Sequence, residues 1–269
     1  MKIIGLMCVK DEADILPQVY PHIESLVDHI YAYDDGSLDN TWNYIKNSDY
    51  AIRIEDDKNR LDHHRGNYHH LLERIKTDFR NEKVWCFLTM GDRFFLNKEP
   101  RQIVDEAIGY EAVEGVQLDF LRHKDDPWTE ENDPFPDYSN IRKICKWARV
   151  DERCIVAFKL NPLLSYKDSQ YPWPRGIGRT QYGRKHNYIN YTEDMPYLEH
   201  QGRRSPKGFM WRYTYYRKIN SKYKDIWNLS SFNCAMNSNK KWFSSSKVCL
   251  WEDGLSNLVA LANEGFFNG

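Results

Sequence analysis

Apolar and polar positions follow two alternating periods along the first hundred residues. Ile3 to Val9 is a short, nearly unbroken apolar run with β-branched content, which predicts a buried strand. Asp11 to Val27 instead repeats its apolar residues at Ile15, Leu16, Val19, Ile23, Leu26 and Val27. That is the spacing of one helical face, and the acidic start suits a helix N-terminus. The alternation recurs with a strand at His29 to Tyr33 and a helix at Asn40 to Asn47. A strand at Ala51 to Ile54 follows, then a polar loop, then a helix from His63 to Arg80 with Leu71, Leu72, Ile75 and Phe79 on one face. Val84 to Thr89 is apolar almost throughout, as a central parallel strand is. Four strands alternating with helices predict a parallel, doubly wound α/β half-sheet.

After Asp92 the regularity weakens. Arg101 to Ile108 predicts a helix, and Gly115 to Leu121 and Ile155 to Leu160 predict strands. Lys124 to Ser139 is a polar, acidic loop with three prolines, and Asp168 to Asn190 is irregular and rich in Pro, Gly, Arg and Tyr. Ser205 to Lys222 predicts a helix mixing basic and aromatic residues, and Leu255 to Ala262 an apolar one. No internal repeat is present.

Composition narrows the function classes. The chain has 269 residues, 41% hydrophobic and 29% charged, enough apolar content for a packed core. A net charge of −1 gives no overall pull toward nucleic acid or an anionic membrane, so phosphate recognition must come from local Arg and Lys placement. For the same reason the basic aromatic segment is not read as a nucleic-acid-binding helix. Six widely spaced cysteines form no C-x-x-C pair, and Cys8 and Cys86 read as small buried residues in strands. Ile3 to Val9 is too short for a signal peptide, and no apolar run reaches membrane-span length. A cytoplasmic protein is expected, with peripheral membrane contact left open.

The chemistry concentrates where strands end. Tyr33-Asp34-Asp35-Gly36-Ser37-Leu38-Asp39-Asn40-Thr41 joins a strand to a helix, with Asp39 or Asn40 as the helix cap. Asp, Gly, Ser and Asn are ordinary turn residues, so a well-capped turn explains them. In open α/β sheets, however, ligands bind at the C-terminal strand edge. Asp34 and Asp35 have no cation near them in sequence, which points to a ligand that offers hydrogen-bond donors. His63, His64, His69 and His70 invite a metal reading, but no acid or cysteine lies at ligand spacing beside them, and surface histidines are the simpler account.

Four blocks taken in order carry a family resemblance. They are Val9-Lys10-Asp11-Glu12-Ala13-Asp14-Ile15-Leu16, then Val27 to Thr41, then Val84 to Leu96 with Met90-Gly91-Asp92, and Glu199-His200-Gln201-Gly202-Arg203-Arg204-Ser205-Pro206. Together they resemble family 2 glycosyltransferases of the GT-A fold, closely over the first hundred residues and in a patch near residue 200. The resemblance implies a Rossmann-like, doubly wound, mostly parallel sheet with an irregular C-terminal helical extension. The implied division is a GT-A-like domain over 1–204 (a nucleotide-binding half, 1–97, and an acceptor half, 98–204), with the extension over 205–269.

The resemblance also implies transfer of a sugar, with inversion, from a nucleoside diphosphate such as UDP to a hydroxyl of a glycan or glycoconjugate. It places the donor at Val9, Asp11, Glu12, Asp34, Asp35, Arg65, Gly91, Asp92, Arg203 and Arg204. Glu12 has an alternative role as a charge in a helix's first turn. The family binds a divalent cation through the last acid of a D-x-D triplet, and here the triplet is Met90-Gly91-Asp92, followed by Arg93 in place of an acid. Asp92 with His200 is then the candidate holder of Mn²⁺ or Mg²⁺, while Arg93, Arg203 and Arg204 offer a metal-free way to neutralise the diphosphate. An inverting transfer needs a base for the acceptor hydroxyl. Asp119 and Asp126 are the leading candidates, ahead of Asp125, Glu193, Asp194 and Glu199. The altered triplet also fits a catalytically inactive relative that binds nucleotide or glycan as a scaffold subunit. A nucleotidyltransferase is disfavoured, because no Gly-rich, Lys-bearing phosphate loop follows the first strand.

Overall fold

The computed structural model describes residues 1–54, 63–121, 147–166, 173–178, 192–200, 248–250 and 254–266. Nine strands and five helices lie among them. In chain order they are β1 (Lys2–Val9), α1 (Leu16–Glu24), β2 (His29–Asp34), α2 (Thr41–Ile45), β3 (Tyr50–Arg53), α3 (His63–Asp78), β4 (Val84–Met90), β5 (Arg93–Phe95) and α4 (Pro100–Glu106). There follow β6 (Ala112–Leu121), β7 (Trp147–Lys159), β8 (Tyr197–His200), β9 (Val248–Leu250) and α5 (Leu255–Phe266).

The protein is α/β with a mixed sheet of order β3-β2-β1-β4-β7-β6-β8-β5, and β9 pairs with β7. β3, β2, β1 and β4 are parallel neighbours, as the alternating pattern predicts. β4 pairs antiparallel with β7, and β7 antiparallel with β9.

The chain divides into two compact units built from interleaved segments. The first comprises Met1–Gly115, Arg153–Arg184 and Pro196–Leu198; the second comprises Val116–Glu152, Lys185–Met195 and Glu199–Gly269.

In the first unit, helices flank both faces of the parallel strands. Ile4, Leu6, Tyr31, Tyr33, Val84, Cys86 and Leu88 share a buried cluster with Tyr68, Leu71, Leu72, Ile75 and Phe79 of α3. Strand side chains alternate between faces, so Gly5 turns the other way, where a Cβ would meet Ile23 of α1 at 3.4 Å. Each large apolar side chain fully buried here, such as Ile4, Leu6 or Phe87, contributes on the order of 1.5–3 kcal/mol through removal of apolar surface from water.

α1 starts at Leu16, not at Asp11, and has no acid in its first turn. Pro17 sits in the first turn and Pro21 inside the helix, where it removes a backbone donor. Asp11 to Asp14 are thereby left to a turn, and that turn joins the candidate site. In the second unit β9 is a strand of the sheet, so the segment after residue 204 is not helical throughout. Leu258 and Val259 of α5 are buried. The predicted helix at Ser205 to Lys222 lies outside the described residues. No helix among the described residues is long and apolar enough to cross a membrane.

Candidate active site at the C-terminal strand edge

Three turns emerge side by side from the first unit. Val9 at the end of β1 lies opposite Asp34 of β2, and Cys8 lies opposite Met90 of β4. Neighbouring strands are about 4.8 Å apart, so the ends of β2 and β4 stand roughly 10 Å from each other across β1. Asp34 and Asp92 therefore flank the same edge.

Side chains of the β2 turn satisfy the backbone of the β1 turn. The N–H groups of Asp11, Glu12 and Ala13 donate to Ser37 Oγ (2.9 Å), Thr41 Oγ1 (2.7 Å) and Asp39 Oδ2 (3.1 Å). Leu38 N–H returns a bond to Asp11 Oδ1 at 2.7 Å, and Asp39 Oδ1 accepts from Thr41 N–H at 2.9 Å just before α2, whose N-cap, Asn40, makes no side-chain cap bond. Asp11 adopts a left-handed backbone, φ 51°, a region that aspartate tolerates better than most residues. These bonds give Asp11, Ser37, Asp39 and Thr41 structural duties, since a buried backbone N–H without an acceptor is costly.

Asp34 is fully buried. Its Oδ1 accepts from Ser37 N–H at 2.9 Å and from the Ser37 hydroxyl. Its Oδ2 faces Arg53 Nε at 3.3 Å, and Arg53 also donates to Ser37 O at 2.7 Å. Burial nevertheless holds the Asp34 carboxyl above its ordinary range, outweighing the Ser37 bonds and Arg53. Asp35, also buried, lies near Lys10, whose Nζ is 3.9 Å from Asp35 Oδ2 and donates to Asp35 O at 2.8 Å. Each acid thus has a cation beside it in space, although none is near in sequence. Parallel pairing brings Arg53 directly opposite Asp34, a neighbour that sequence proximity does not show.

At the third turn, two side chains approach Gly91 closely. A Cβ there would fall 1.9 Å from Glu12 Oε2 and 2.7 Å from Val9 Cγ1. The Glu12 carboxylate thus lies on the backbone between Met90 and Asp92. Glu12, Asp92 and Arg93 are all buried. With α1 starting at Leu16, Glu12 is not a first-turn helix charge.

Below the edge on the α3 side, Tyr68 is fully buried and stacks on Tyr166 at 5.7 Å. Burial pushes the Tyr68 phenol well above its ordinary range, and a hydrogen bond joins it to Cys8, whose thiol burial also raises. Arg93 and Asp92 act on Tyr68 in opposite senses, the cation lowering its pKa and the acid raising it. Tyr68 is a site neighbour that its place in a helical repeat presents only as a core residue.

The remaining predicted residues belong to other elements or lie outside the described residues. Arg65 lies in the first turn of α3, and its side chain lies outside the described residues. His200 ends β8, and its imidazole is likewise outside them. Asp119 is buried in the part of β6 that belongs to the second unit, as Glu199 of β8 is. Asp126, Arg203 and Arg204 lie outside the described residues. Among the described residues no three His, Cys, Asp or Glu side chains cluster as metal ligands.

No family model matches the chain, and no curated protein matches it. Among solved structures it is similar to S. aureus TarS 1-349, at 11% identity over 48% of this chain and 38% of that one, with a TM-score of 0.31. A second structure of S. aureus TarS aligns at 13% identity over 48% of this chain and 23% of that one, also with a TM-score of 0.31. A mycobacterial protein aligns at 19% identity over 53% of this chain and 48% of that one, with a TM-score of 0.26. In each case this chain spans less than half the length of the structure it matches.

Proposed function

We propose that this protein is a glycosyltransferase of the GT-A type, which moves a sugar from a nucleoside diphosphate, UDP by preference, to a hydroxyl of a glycan or glycoconjugate. The observation that carries this reading is the gathering of Asp34, Glu12 and Asp92, all buried carboxylates, on three adjacent turns at one sheet edge. That edge is the ligand-binding side of parallel α/β sheets, and the order of the blocks resembles the family.

In this reading Asp34 and Asp35 take the donor hydrogens of base and ribose, and Asp92 lies toward the diphosphate. Arg65, Arg203 and Arg204 are assigned to the phosphates, where guanidinium pairs bidentately with phosphate oxygens. A divalent cation, Mn²⁺ or Mg²⁺, would supply charge neutralisation of the departing diphosphate. Asp92 and His200 would hold it, with phosphate oxygens and water completing a hard-cation shell. Asp119 and Asp126 are the proposed bases that take the acceptor's proton.

Met90 and Arg93 favour a second reading, a silent relative that binds the nucleotide without turning it over. A thioether replaces a hard oxygen ligand, and a buried cation stands beside Asp92. Hydrolysis of UDP-sugars with and without Mn²⁺, beside calorimetric titration with UDP, separates the two. Binding with turnover supports the transferase, binding without turnover the silent relative, and no binding removes UDP from both readings.

A further inference from the structure

The contact between Glu12 and Gly91 gives Glu12 a task other than touching the donor. Its backbone is held at both ends. The N–H donates to buried Thr41 Oγ1 at 2.7 Å, and the carbonyl accepts from Ile15 N–H (3.1 Å) and Leu16 N–H (3.0 Å) at the start of α1. The side chain is buried, and its Oε2 lies in the space a Cβ at residue 91 would fill, 1.9 Å from that position. The φ of Gly91 is not among the positive values, which belong to Gly36, Gly109, Gly176 and Gly254. Conformational freedom therefore does not explain the glycine; room for the carboxylate does.

We propose that Glu12 is a positioning residue, a latch that seats the Met90–Arg93 turn against the β1 turn and so fixes where Asp92 stands relative to Asp34. The connection is continuous. Asp34 is bonded to Ser37, Ser37 accepts from Asp11 N–H, Glu12 follows Asp11, and the Glu12 carboxylate rests on Gly91, next to Asp92. The latch itself stands on these contacts, and its consequence for nucleotide binding rests on the reading proposed above.

The test is hydrogen–deuterium exchange on the full chain across residues 88–96, with UDP calorimetry on the same samples. The variants are Glu12→Gln, Glu12→Ala, Gly91→Ala and the double variant Glu12→Ala/Gly91→Ala. The latch predicts exchange at this turn roughly tenfold faster in Glu12→Ala and in Gly91→Ala, a double variant no faster than either alone, and partial recovery in Glu12→Gln. α4, whose Arg101 bonds Met1 O and Asp28 at the opposite end of β1, keeps its protection, which separates loss of the latch from general loosening. Unchanged exchange in Glu12→Ala, or effects that add in the double variant, would overturn the proposal. Should Glu12→Ala not fold, unchanged exchange in Gly91→Ala would overturn it in the same way. If the exchange pattern holds but wild type does not bind UDP, the latch stands and the nucleotide reading fails. If UDP binds wild type and Glu12→Ala alike, with exchange unchanged, the latch fails and the nucleotide reading stands.

Discussion

Asp34→Asn separates what the fold needs from what a ligand needs. In the wild type Oδ1 accepts two bonds from Ser37, and an amide oxygen can accept the same two. Oδ2 faces Arg53 at 3.3 Å, and the arginine side chain is 37% exposed, so solvent screens the pair. Losing a pair of that kind costs about 0.2–1 kcal/mol. Opposing this loss, burial holds the Asp34 carboxyl above its ordinary range. With the folded pKa raised, the native state binds the proton more tightly than the unfolded chain. Stability therefore falls as pH rises through the interval between the two values, and above it the full cost of the buried charge remains. Asparagine removes that cost. The net change at pH 7.5 should lie within about 1 kcal/mol of wild type, a shift of no more than roughly 4 °C in the unfolding midpoint. Any advantage of the variant over wild type should shrink as pH falls toward 4. UDP affinity, in contrast, should fall by about tenfold to a hundredfold, the value of a hydrogen bond to a charged acceptor. Thermal unfolding at several pH values and calorimetry with UDP read both quantities. A loss of more than about 3 kcal/mol, or unchanged affinity, would refute the reasoning, since Asp34 would then be a structural acid and nothing more.

Other outcomes follow from the same geometry. Thr41→Val keeps the shape of a buried side chain but removes the acceptor of Glu12 N–H, so it should cost about 1–3 kcal/mol in urea unfolding; no loss would mean that the two turns are not tied there. Asp92→Asn should abolish turnover while leaving the unfolding midpoint near wild type, and full activity in that variant would remove Asp92 from the site. Met90→Asp, which restores a hard ligand at an only partly buried position, should raise Mn²⁺ affinity in titration calorimetry; an unchanged isotherm would contradict the assignment of the cation to this turn. Asp28 and Asp49 test the acid side of the stability profile. Burial alone would raise both carboxyls, but Ile3 N–H and Arg101 at Asp28, and His29 and Ile30 N–H at Asp49, hold them below their ordinary range. A depressed folded pKa gives stability that is present above the unfolded value and lost as pH falls through the folded one. The deficits of Asp28→Asn and Asp49→Asn should accordingly be clear at neutral pH and vanish once pH falls below the ordinary carboxylate range; a deficit constant with pH would be contrary to this account.

The strands of the first unit are legible because burial on both faces leaves unbroken apolar runs, and β1, β2, β3 and β4 fall within a residue or two of the pattern. β7 extends eight residues before Ile155 because Asp151, Glu152 and Arg153 interrupt its apolar run without ending its pairing. β5, β8 and β9 span only three or four residues and exist through their partners, so no local period announces them. α1 shows the converse failure: the helical spacing is real, but Pro17 in the first turn marks where the helix begins. At the candidate site the turn residues are visible and their partners are not. Ser37 and Thr41 serve N–H groups 26 and 29 residues away, and Arg53 reaches Asp34 only through strand register. The resemblance places the glycine of Met90-Gly91-Asp92 at the donor, and no sequence pattern shows that the Glu12 carboxylate approaches it.

The most direct measurement is a crystal structure with UDP and Mn²⁺ bound. The account predicts the uracil and ribose against Asp34 and Asp35 and the diphosphate beside Asp92, across the ends of β2, β1 and β4. Nucleotide bound anywhere else on the chain, or a C-terminal edge left empty at saturating UDP, would contradict it.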